Sequence, residues 1–102
     1  MNILIKQTEV YRKWFKKLDF SLKLVIIPRL SRIEQNGYFG QVKSLGEISE
    51  IKFKNGLRIY FGRDGENVVL LLSGGDKNNT KEQSRDIAKA KEIWKEYLDY
   101  GK

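Results

Sequence analysis

Among its 102 residues the chain has no cysteine, no histidine and a single proline. Without cysteine there are no disulfides, no thiolate zinc sites and no thiol nucleophile. Without histidine the usual general base of neutral pH is missing too. Catalysis is left to lysine, arginine, tyrosine or carboxylates, and neither a metal nor another cofactor is expected. Long apolar runs are also lacking. The opening MNILIKQTEV turns polar after a short apolar stretch, with no extended apolar region and no small-residue cleavage site, and nothing further on is long enough to span a bilayer. The expectation is a cytosolic protein with no membrane partner.

What is present suits one packed domain over residues 1–102. The hydrophobic fraction is 40%, with two tryptophans, five tyrosines and five phenylalanines, enough for one core but not two. Charge is lopsided: 20 Lys and Arg against 13 Asp and Glu give a net charge of +7. Residues 1–33 hold eight cations and two acids, and the remainder twelve and eleven. Such a field favours polyanions or an acidic protein partner, without choosing among them.

Periodicity places the elements. Residues 3–7 read as a short strand. Thr8 is positioned as an N-cap for a helix whose apolar face is Tyr11, Trp14, Phe15 and Leu18, flanked by Arg12, Lys13, Lys16 and Lys17. Leu22, Val25, Ile26, Leu30 and Ile33 continue at helical spacing to a stop at Asn36-Gly37. Pro28 lies inside that pattern and predicts a kink or break near residues 24–27. Four strands follow, in QVKSL, EISEIKFK, LRIYFGR and NVVLLLSGG, and the dipeptides Asn55-Gly56 and Asp64-Gly65 predict two-residue hairpin turns. VVLLL, apolar on both parities, predicts a central strand covered on both sides. Thr80 and Gln83 have capping-box spacing ahead of an amphipathic C-terminal helix.

The fold class expected is α+β: a small twisted antiparallel sheet, two N-terminal helices on one face and a C-terminal helix. The sheet carries cations at Lys52, Lys54, Arg58, Arg63 and, past its last strand, Lys77. Read alone, this line is either a solvated face or a surface for an anion.

The strings YFGQVKSLGEISEIKF, KNGLRIYF and VVLLLSGGDK, followed by DIAKA in the last helix, resemble the RelE/ParE toxin superfamily, and within it the phage-type, HigB-like addiction-module killer proteins. The resemblance extends to WFKKLDF and RLSRIEQNGYFG and so covers almost the whole chain. It implies a toxin of a type II toxin–antitoxin system. The RelE-like and HigB-like branches of that superfamily cut mRNA in the ribosomal A site; the ParE-like branch poisons DNA gyrase. The implied partners are a cognate helix-turn-helix antitoxin, the ribosome and mRNA, with operator DNA reached only through the antitoxin complex.

Cutting RNA with its own 2′-hydroxyl needs a base, charge stabilisation of a pentacoordinate phosphate, and an acid for the leaving 5′-oxygen. Guanidinium and ammonium groups held in place supply the second, and crowding of like charges lowers a lysine pKa toward the range of a base. By resemblance, Arg58 in GLRIYF matches the phosphate-binding arginine and Lys52 in EIKF a catalytic cation. Lys77 in GGDK stands where RelE-like enzymes often carry an arginine, losing the planar fork. Lys54, Arg63 and Lys81 are the expected RNA-binding cations. The tyrosine or histidine that several such nucleases use near the last helix has no counterpart: the helix start reads TKEQSRDIAKA. Three functions follow for testing: a metal-independent, ribosome-dependent endoribonuclease; a non-enzymatic gyrase inhibitor; and a module acting only as corepressor with its antitoxin.

Overall fold

The computed structural model describes residues 2–76 and 80–101. The elements, in chain order, are β1 (Leu4–Gln7), α1 (Glu9–Lys16), α2 (Phe20–Asn36), β2 (Val42–Ser44), β3 (Ser49–Lys52), β4 (Leu57–Arg63), β5 (Val68–Asp76) and α3 (Thr80–Glu96), closed by a π-helical turn at Tyr97–Gly101. The five strands form one sheet in the order β1-β5-β4-β3-β2. Strands β2 to β5 are the expected antiparallel meander, and β1 joins its far edge in parallel beside β5, making the sheet mixed. That places β5 between two strands, as its two-sided apolar run requires. No described helix is long and apolar enough to cross a membrane.

Two cores sandwich the sheet. On one face α1 and α2 close over Tyr11, Ile26, Ile33, Ile51, Ile59 and Phe61, together with Val69 and Leu71. On the other, α3 closes over Ile48, Tyr60, Leu70 and Leu72 with its own Ala90 and Trp94. Alternation along β4 sorts the residues: Leu57, Ile59 and Phe61 face α1 and α2, while Tyr60 faces α3. Each valine, leucine, isoleucine or phenylalanine buried in full contributes about 1.5–3 kcal/mol.

Local signals explain the helix ends. The Thr8 hydroxyl accepts the Tyr11 N–H at 3.0 Å and donates to the Leu72 carbonyl at 2.7 Å, so one side chain caps α1 and ties it to the central strand. Gly37 ends α2 at φ 70°, with its N–H on the Ile33 carbonyl. Of the kink or break expected near residues 24–27, the break does not occur: α2 is one helix from Phe20 to Asn36 with Pro28 inside it. Pro28 and Leu24, whose carbonyl loses its helical donor, both lie on the exposed side, where solvent serves the freed oxygen. On that side Phe20, Leu24 and Ile27 are 74%, 53% and 53% exposed.

The hairpin turns also differ from expectation. Among the described residues none other than glycine has positive φ, so neither dipeptide adopts the turn that needs two such residues. Instead the Gly56 N–H bonds the Phe53 carbonyl and the Phe53 N–H bonds the Leu57 carbonyl, both at 3.1 Å. This is a three-residue loop, Lys54 to Gly56, with only Gly56 left-handed at φ 92°. Thr80, expected as a cap, is the first residue of α3.

Arg29, on α2, locks the sheet to the helices. Its guanidinium donates to the carbonyls of Phe39 (3.3 Å), Lys52 (3.0 Å) and Gln41 (3.1 Å) and lies 4.7 Å from the Phe53 ring centroid. Gly40 runs against it at φ 74°, where a Cβ would fall 2.7 Å from Arg29 Nε. Because the guanidinium is pinned by three carbonyls, Gly40→Ala is expected to lower stability by about 1–3 kcal/mol. Urea unfolding of the variant checks this; an unchanged midpoint would show that the guanidinium yields.

Candidate functional site

The site is set by the register of β3, β4 and β5. Lys52 pairs directly with Arg58, and Glu50 with Tyr60, across β3 and β4. Arg58 in turn pairs with Gly75, and Tyr60 with Ser73, across β4 and β5. Between Tyr60 and Phe61 the register jumps from Ser73 to Leu71, so Leu72 is an extra residue in β5. This bulge shifts the alternation by one. It turns Ser73 and Gly75 onto the α3 face beside Tyr60 and Arg58, and leaves Gly74 facing α1.

The result is a buried polar cluster beneath α3. Arg58 is 5% exposed and Glu50 1% exposed, with Arg58 Nε 3.7 Å from Glu50 Oε2. One further guanidinium nitrogen of Arg58 donates to the Leu57 carbonyl at 3.2 Å. Arg58 Nε, Glu50 Oε2 and the hydroxyls of Tyr60 and Ser73 have no hydrogen-bond partner among the described residues. Burial, aided by the negative charges of Glu50 and Asp86 and opposed by Arg58, pushes the Tyr60 phenol up to about 12. It therefore keeps its proton at neutral pH. Lys52 is half-buried at the rim.

Asp86 reaches this cluster from α3. A Cβ on Gly75 would collide with its carboxylate, so the second glycine of SGGD is what lets the acid settle against the strand beside Arg58. The first glycine serves the other face, where the Trp14 ring lies over Gly74. Burial raises the Asp86 carboxyl above its ordinary value; Glu82 adds to the shift, and Lys89 opposes it.

Of the six cations singled out in the sequence, the structure brings Lys52 and Arg58 together. Lys77 lies outside the described residues; Asp76, just before it, pairs with Leu57. Arg63 does not belong to the same line. It has the parity of Leu57, Ile59 and Phe61, faces α2, stacks 5.0 Å from the Phe39 ring and donates to the Glu66 carbonyl at 2.8 Å. Lys54 is exposed in the β3–β4 loop, bordering a shallow cavity shared with Val25, Arg29 and Phe53 on the α2 side. Lys81 is exposed in the first turn of α3. Sequence reasoning assigned Asp86 no role; the paired glycines were the available signal, since adjacent strand glycines mark close approaches on opposite faces.

The family described as Phage derived protein Gp49-like matches residues 13–95. An uncharacterized protein of Haemophilus influenzae is 37% identical over 95 residues, spanning 89% of this chain and 92% of that protein. Among solved structures, the isolated RelE toxin of E. coli superposes with a TM-score of 0.64 at 19% identity, over 84% of this chain and 96% of RelE. A chain of the RelBE2 toxin–antitoxin complex of Mycobacterium tuberculosis gives 0.62 at 12% identity, over 76% of this chain and 100% of that one. These likenesses agree with the motifs resembling the RelE/ParE superfamily, and the chain belongs to the Gp49-like family of phage-derived proteins, built on the fold of the RelE toxins.

Proposed function

We propose that this chain is the toxin of a type II toxin–antitoxin module and that it cuts mRNA held by the ribosome. The observation that carries the reading is the direct cross-strand pairing of Lys52 with Arg58, with Glu50 buried behind Arg58 and fixing it. Two cations held this way meet the non-bridging oxygens of a phosphate and stabilise the charge that grows as the 2′-oxygen attacks, with little reorganisation. Asp86, whose acid form burial favours, gives its proton to the departing 5′-oxygen, the role left open in the sequence, while the proton of the attacking 2′-hydroxyl passes to water. Phosphate enters from the Lys52 side, and the first turns of α3 draw back to admit it to Arg58. Solved relatives include toxin–antitoxin complexes, and an antitoxin is the partner expected here.

One observation favours the second reading, a non-enzymatic inhibitor of gyrase: with α3 in place, Arg58 is covered, and a fold that never opens cannot present it. Primer-extension mapping of cellular mRNA after brief induction separates the two. The wild type is expected to give new 5′ ends that require translation, and Lys52→Ala to reduce them on the order of 100-fold while remaining folded. Growth arrest with intact transcripts would overturn the nuclease reading and direct the search to supercoiling assays.

A further inference from the structure

The catalytic reading uses only the Asp86 edge of a cavity of about 520 Å³ between α1 and α3. Its floor follows from the topology. β1 pairs with β5 only as far as Gln7 opposite Leu71, and Thr8 then takes the carbonyls of Leu71 and Leu72 before the chain turns into α1. Beyond that point, among the described residues, the outer edge of β5 at Ser73 and Gly74 has no neighbouring strand. Ser73 lines this floor, is 5% exposed, and its hydroxyl has no hydrogen-bond partner among the described residues.

The walls differ in chemistry. α1 and the turn after it present Trp14, with Val10 and Leu18, as an apolar side. Lys13 and Lys17, one helical turn apart, and Lys89 on α3 stand around it, all exposed. Asp86 is the only acid in the lining among the described residues, and it is also the boundary with the Lys52–Arg58 cluster. A flat apolar ring carrying anionic groups, with a hydrogen-bonding edge for a buried hydroxyl, satisfies all of these surfaces at once. The volume falls within the roughly 300–1,000 Å³ of small-molecule sites.

We propose that this cleft is a nucleotide subsite for single-stranded RNA, seating the nucleotide next to the scissile phosphate. Its base lies along the Trp14 wall with a polar edge toward Ser73, and its phosphates meet Lys13, Lys17 and Lys89. Asp86 then marks the passage from the seated nucleotide to the phosphate that is cut. The assignment rests on RNA as the substrate, but the Lys52–Arg58 pair lies outside the cleft, so the two fail separately.

Anisotropy of a fluorescein-labelled, 2′-O-methyl heptaribonucleotide, which cannot be cut through its 2′-oxygen, tests this on the full chain. The strand is expected to bind at least about tenfold more tightly than an abasic phosphodiester of equal length and charge. Lys17→Glu with Lys89→Glu should weaken binding at least about tenfold, and the matched reversal Arg32→Glu with Lys95→Glu, on exposed residues outside the cavity, by less than about threefold. Equal losses in the two double variants, or equal binding of the abasic strand, would reduce the interaction to the general field and overturn the subsite. So would displacement of the RNA by deca-glutamate at the same molar charge, which would mark the cleft as a seat for an acidic protein segment. Wild-type levels of translation-dependent cleavage by the Lys17→Glu, Lys89→Glu chain would overturn the subsite while leaving the nuclease reading intact. Loss of cleavage in Lys52→Ala with oligonucleotide affinity retained completes the separation.

Discussion

Arg58→Ala is expected to lower the stability of the fold by about 3–5 kcal/mol, whatever it does to activity. The Glu50 carboxylate is 1% exposed, and its ion-pair partner in the structure is Arg58. Removing the guanidinium strands a charge among Tyr60, Ser73 and the underside of α3, where desolvation costs far more than a surface pair returns. The pair itself adds little, because taking both ions out of water nearly offsets their attraction at 3.7 Å. Replacing both members, Glu50→Leu with Arg58→Met, should therefore recover most of the loss, to within about 1 kcal/mol of wild type or beyond it. Urea unfolding followed by tryptophan fluorescence reads both variants. A single variant as stable as wild type would show that Glu50 finds water or takes a proton at no cost. The same argument makes Arg58→Ala a poor catalytic control by itself and gives Lys52→Ala, at the half-exposed rim, the cleaner role.

Trp94→Ala should cost a similar amount, about 3–5 kcal/mol, and most of it falls on one element. Trp94 is the largest side chain that α3 contributes to the second core. Its ring fills the space over Gly62, where a Cβ would clash, and stacks on Tyr97 at 5.5 Å and 17°. Tyr97 is itself held by a 2.8 Å hydrogen bond from its hydroxyl to Asp64. Without the indole, the apolar side chains of α3 packed in this core are Ile87, Ala90 and Ile93. Native-state hydrogen exchange should then show the α3 amides opening before those of β4 and β5, since the two faces have separate cores. Exchange of α3 at the rate of global unfolding would mean that the sheet and helix remain one cooperative unit. Local opening also uncovers Arg58, so this variant reports whether α3 controls access to the cation pair.

The sheet was legible because its signals were local. Alternation in LRIYFG assigns each residue of β4 to its face, Thr8 and Gly37 mark helix ends by their own chemistry, and the two-sided run VVLLL requires a central strand. Where sequence reading failed, the deciding contact was distant or depended on a single inserted residue. Nothing near Leu72 announces a bulge, yet that residue determines which face Ser73 and Gly75 occupy. Arg63 looked like a continuation of the cations before it, but five residues along a strand from Arg58 is an odd step and lands on the opposite face. Arg29 has no motif; its role comes from carbonyls of residues 39, 41 and 52 that fold back upon it. The pairing of Arg58 with Glu50 needed the β3–β4 register, and its burial needed α3.

The exposed stripe of Phe20, Leu24 and Ile27 on α2 has a consequence for the molecule as a colloid. Copies of a chain carrying +7 are kept apart in dilute buffer by mutual repulsion, although each carries an adhesive patch. Salt shortens the reach of that repulsion to about 8 Å at physiological ionic strength and leaves the patch intact. Self-association of the free chain through this stripe is therefore expected to rise with added salt, the reverse of what is usual for proteins that need salt to dissolve.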